Sequence, residues 1–142
     1  SREKNCLFIK KYLLKHPCLD CGENDNIVLE FDHVRGTKFK EISKLVYKMT
    51  KKWPNTEIYA LTDQLRRAVV SIALNIAEGS GRTSKDFAHF LGIARGSCYE
   101  CIAILTIARD LEYVDQTDYQ DLYNKIEIIS KMLSSLKLSI AK

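Results

Sequence analysis

QLRRAVVSIALNIAEGSGRTSKDFAHFLGIARGSCYE, residues 64–100, decides how this chain folds. Apolar side chains recur at helical spacing through Leu61, Leu65, Val69, Ile72 and Ile76. A polar stripe runs beside them: Arg67, Ser71, Asn75 and Glu78 share one helix face. Gly79, Ser80 and Gly81 are expected to stop that helix, because glycine accepts the left-handed conformation a C-cap favours. Thr83 or Ser84 then caps a second helix, with Asp86 at its positive end. His89, Gly92, Gly96 and Glu100 form a polar or small stripe on that helix. The two stripes are expected to face each other, with Arg or Asn of one meeting Glu of the other.

Outward from this centre, residues 38–53 turn helical through Phe39, Ile42, Leu45, Val46 and Met49, and Pro54 breaks the pattern. Thr56 is expected to cap a helix over about residues 57–78, and the next helix should run over about 84–113. A fourth starts at Asp115 or Thr117 and carries Tyr119, Leu122, Ile126, Ile129, Leu133, Leu136 and Ile140 in near-heptad register. Four amphipathic helices with short connections predict an all-α fold, an antiparallel up-down four-helix bundle. Trp53 beside Pro54 reads as a plug at the bundle end.

The front differs. Residues 3–15 read as a short amphipathic helix, CLDCG (residues 18–22) as a CxxC knuckle, and IVLEFDHV (residues 27–34) as a short strand or hairpin arm. The expected division is an appendage over 1–37 and the bundle over 38–142.

The chain has 142 residues, 46% of them hydrophobic, which suits one domain with a small appendage. No run reaches the roughly 18 apolar residues that span a bilayer, and the charged opening residues do not read as a signal peptide. Five cysteines, two pairs of them CxxC, fit a reducing cytoplasm, and no membrane partner is expected. The formal charge of +4 is unevenly placed, with the excess in residues 38–82. Lys38, Lys40, Lys44, Lys48, Lys51 and Lys52 make a basic helix face, either solvated or a polyanion site. Arg66 and Arg67 suit bidentate phosphate contacts, or pair with nearby carboxylates. Asn75, Glu78 and Glu100 read better as an interhelical polar network than as a catalytic or metal cluster. Cys98 and Cys101, spaced within one helix, read as small buried apolar groups rather than metal ligands.

The motifs VYKMTKKWPNTEIYALTDQLRRAVVSIALNIAEGSGR and FLGIARGSCYE, within roughly 100 residues from Phe39 onward, resemble the four-helix-bundle family of bacterial 23S ribosomal RNA intervening-sequence proteins. The resemblance implies a non-enzymatic protein that assembles as a homo-oligomer, typically a pentameric ring. This family is similar in turn to accessory proteins of diversity-generating retroelements, which bind a reverse transcriptase and nucleic acid through basic surfaces. An RNA, DNA or reverse-transcriptase-type partner is therefore implied. The family positions are Arg66, Arg67, Ser71, Asn75, Glu78, Arg82, Arg95, Ser97 and Glu100. From them we expect a nucleic-acid surface of Lys44, Lys48, Lys51, Lys52, Arg66, Arg67, Arg82 and Arg95. The expected polar network is Ser71, Asn75, Glu78, Ser97 and Glu100.

Residues 10–34 resemble the opening of a treble-clef HNH endonuclease. That resemblance implies zinc at Cys18 and Cys21, completed by His16, His33 or a neighbouring subunit, and His33 as a general base oriented by Asp32. The downstream half of such a site is missing, so the appendage reads as truncated. A metal-dependent nuclease and a purely structural protein-binding ring remain as alternative readings.

Overall fold

The computed structural model describes residues 37–140. These form four α-helices: α1 (Thr37–Thr50), α2 (Asp63–Ser80), α3 (Ser84–Asp110) and α4 (Gln116–Ile140). No strand occurs among the described residues. The expected short helix, CxxC knuckle and hairpin arm, with Cys18, Cys21, Asp32 and His33, lie outside them. α2 packs on α3, α3 packs on α4, and α1 rests against both α2 and α4.

The apolar stripes read from the sequence are the core. Ile42 and Val46 of α1, Leu65, Val69 and Ile72 of α2, and Ile126 of α4 are fully buried. Leu91, Ala94, Cys98, Cys101 and Leu105 of α3 join them. Each Leu, Ile or Val removed from water in this way contributes about 1.5–3 kcal/mol. Trp53 is buried and tilts against Tyr113 with ring centroids 6.1 Å apart.

α3 is more apolar than the sequence reading allowed. By length and composition it could cross a membrane. Its packing between α2 and α4 accounts for that composition as the central helix of a bundle.

The helix ends carry four corrections. Thr56 caps nothing. The chain leaves Pro54 through a 3-10 turn (Asn55–Glu57) and a π turn (Ile58–Thr62), and the Glu57 carboxylate accepts from Leu61 N at 3.4 Å. Regular α2 therefore starts at Asp63, after a break at Ala60 (φ −117°, ψ −111°). At its other end Gly81 caps α2 with φ −89°, so no left-handed glycine is used there. What demands glycine is packing. A Cβ on Gly79 would lie 2.7 Å from Phe90 Cβ and 2.8 Å from Phe87 Cδ2, so Gly79 lets α3 start tight against α2.

Thr83 is the N-cap of α3, accepting from Asp86 N at 3.2 Å, and Asp115 does the same for Asp118 N at 2.8 Å before α4. The end of α3 was not foreseen. Glu112 takes φ 60°, the one non-glycine with positive φ among the described residues. Glu112 N donates to Arg109 O at 2.9 Å and Tyr113 N to Ala108 O at 2.8 Å. That pair of bonds is a Schellman closure, which ends the helix three residues before the expected Tyr113.

Candidate nucleic-acid interface

The outward face of α1 is built by spacing alone. Lys40, Lys44 and Tyr47 follow one another at four and three residues, so they share the face opposite Ile42, Val46 and Met49, and Lys51 lies in the turn just past the end of α1. Lys48 and Lys52 flank them. All five lysines are exposed, and none makes an ion pair among the described residues. Glu41 is the one acid on α1. Lys38 belongs to the same helix, but its side chain lies outside those described.

Arg66 ties this face to α2. Its Nε donates to Thr50 Oγ1 at 2.9 Å, while Thr50 Oγ1 donates to Val46 O at 2.8 Å. Thr50 is buried, so the guanidinium is held at its root. Its carbon lies 4.8 Å from the centroid of the Tyr47 ring, a cation–π contact. Sequence reading named Arg66 and the lysines but missed Tyr47, although the four-three spacing contains it.

The other candidate arginines do not join this face. Arg67 is highly exposed and pairs with Asp63 one turn back at 3.3 Å. Arg82 Nε donates to Glu78 Oε1 at 2.9 Å, and its guanidinium lies over Phe90; the bond to Glu78 holds its pKa above the usual arginine value. Arg95 on α3 donates to Tyr99 Oη at 2.7 Å. Arg67 and Arg82 are thus partly neutralised by acids one turn back on α2, whereas the lysines have no ion pair among the described residues.

The polar network is smaller than the sequence suggested. Ser97 Oγ of α3 donates to Ser71 Oγ of α2 at 2.9 Å. Asn75 Nδ2 donates to Ser71 O at 2.8 Å and to Ser71 Oγ at 3.0 Å. Glu78 turns to Arg82 instead, and Glu100 is exposed outside the network. The Arg or Asn to Glu contact expected between the helices is therefore replaced by a serine pair. Gly92 and Gly96 do not line that seam either. A Cβ on Gly92 would meet Lys137 Nζ of α4 at 2.9 Å, and one on Gly96 would meet nothing within 4 Å.

Cys98 and Cys101 are buried within α3, as their helical spacing implied. Burial pushes the Cys98 thiol up to about 12 and the Cys101 thiol further still, so neither offers a ready thiolate. Among the described residues no group of three or more His, Cys, Asp or Glu is placed to hold a metal ion. The Cys18 and Cys21 pair lies outside them.

A family model described as 23S rRNA-intervening sequence protein matches residues 37–135, which begin with α1 and end near the close of α4. The chain belongs to the 23S rRNA-intervening sequence protein family. No curated protein matches it. The matched span holds the whole α1 face, the Ser71–Ser97 seam and the Gly79 contact, and it leaves out the first 36 residues. These features therefore lie within the matched span.

Proposed function

We propose that this protein is a non-enzymatic, nucleic-acid-binding bundle, with RNA the first choice of ligand, that grips phosphates along α1. The observation that carries the reading is the row of exposed lysines Lys40, Lys44, Lys48, Lys51 and Lys52, without ion pairs among the described residues, beside an Arg66 fixed by Thr50. Such a row neutralises a phosphate backbone by releasing its counterions. The name of the family supports an RNA-related role. In this reading the four helices run antiparallel, up and down, and copies associate into a ring, a pentamer by preference. The exposed apolar residues Val70, Leu74, Ile93 and Ile107 of α2 and α3 support that association.

A labelled RNA titrated at two salt concentrations tests the reading. Four phosphate contacts predict about a hundredfold loss of affinity from ~50 to ~200 mM salt. Each of Lys44→Ala, Lys48→Ala and Lys51→Ala should reduce the slope of log K against log salt by about 1. Absence of binding to RNA and DNA, with recovery of a protein partner instead, overturns it in favour of a protein-binding scaffold.

A further inference from the structure

We infer that the α1 face selects single-stranded over duplex nucleic acid, with one base stacked on Tyr47; this rests on the nucleic-acid reading above. Tyr47 is an aromatic ring left 42% exposed in the middle of a lysine row. Lys40 and Lys44 precede it on the same face, Lys48 is the next residue and Lys51 follows in the turn that ends α1, so phosphates tracking the lysines pass the ring. The ring is backed rather than loose. Arg66 covers it with its guanidinium carbon 4.8 Å from the centroid, and Arg66 is itself anchored through Nε to the buried Thr50. An aromatic platform held in place within a cationic row is an arrangement that takes an unstacked base, since every base has a π-face. A duplex keeps its bases inside the stack and presents only its backbone, so it gains the lysine contacts and not the ring. The Arg66 charge behind the ring also suits a base whose own phosphate lies nearby.

The test uses the full chain and labelled homopolymeric oligonucleotides, RNA and DNA, each single-stranded and as a duplex of equal length, read by fluorescence anisotropy at fixed salt. The expected result is tighter binding of the single strand. Tyr47→Leu, which keeps apolar bulk without a π-face, should weaken single-strand binding roughly tenfold, leave duplex binding unchanged and leave the salt slope unchanged. Tyr47→Phe and Tyr47→Trp should retain it. Equal binding of both forms, or equal loss on both in Tyr47→Leu, overturns the stacking inference while the phosphate reading stands. Failure of every oligonucleotide to bind overturns both. A thermal melt of Tyr47→Leu matching the parent shows that a change in binding is not a change in folding.

Discussion

Ser97 Oγ on α3 donates to Ser71 Oγ on α2 across 2.9 Å, and the same Ser71 oxygen accepts from Asn75 Nδ2 at 3.0 Å. Ser71 is therefore the hub and Ser97 a spoke. Ser97→Ala leaves Ser71 still bonded to Asn75 and should cost about 0.5–1 kcal/mol. Ser71→Ala removes the acceptor shared by Ser97 and Asn75, leaving the 6% exposed Ser97 only the longer 3.3 Å bond to Ile93 O, and should cost more, about 1–2 kcal/mol. Urea unfolding of both variants checks the order, and a larger loss for Ser97→Ala would contradict it.

Two glycines of the family motifs should respond in opposite directions. Gly79→Ala drives a methyl into Phe87 and Phe90 and should destabilise by about 1–3 kcal/mol. Gly96→Ala meets open space inside a helix and should stabilise by about 0.5–1 kcal/mol through the entropy of the unfolded chain. Thermal melts of the two variants give the signs.

Much of this was legible beforehand, and the misses have physical causes. Leu65, Val69, Ile72 and Ile76 announced α2 because helical spacing and burial say the same thing there. Thr83 was readable as a cap because both bonds of its hydroxyl are local, accepting from Asp86 N and donating to Asp86 Oδ2. The break before α2 was hidden, because Ile58, Tyr59 and Leu61 continue a helical apolar pattern through it. Tyr59 is nonetheless 95% exposed. The seam was half right. Spacing fixes which residues share a face, but not which neighbour that face meets, so Ser97 faces α2 while Gly92 faces α4. The end of α3 gave no sign, since a glutamate stands where glycine usually marks the turn.

That glutamate is improvable. Glu112→Gly removes the left-handed penalty on a side chain and should stabilise by about 1 kcal/mol. Because the Schellman bonds are backbone bonds, they persist in the variant. A rise in melting temperature checks it; a fall would mean that the Glu112 side chain makes a compensating contact.

The buried thiols set an alkaline limit. Cys98 is raised by burial from its ordinary 9.0 to about 12, and Cys101 is raised as well. The folded state therefore holds protons that the unfolded chain releases first. Stability from this source is complete below about pH 9, falls as pH climbs from there, and is lost by about pH 12. Cys98→Ala with Cys101→Ala should flatten the decline between pH 8 and 10.5, although the double variant starts lower for its lost packing, with ~2 kcal/mol or more at stake. Folded protein should also react slowly with a thiol-specific disulfide reagent until denaturant is added.

The order of packing along the chain has a dynamic outcome. α2, α3 and α4 follow one another through short connections and each packs on the next, while α1 is the shortest helix and joins through the irregular 55–62 segment. Neighbour-on-neighbour pairing of this kind closes small loops and folds fast. Amide exchange should then be slowest in α3 and quickest to open in α1. The row of lysines thus lies on and just after the helix expected to open most easily, so a bound polyanion would act as a clasp, slowing exchange in α1 first.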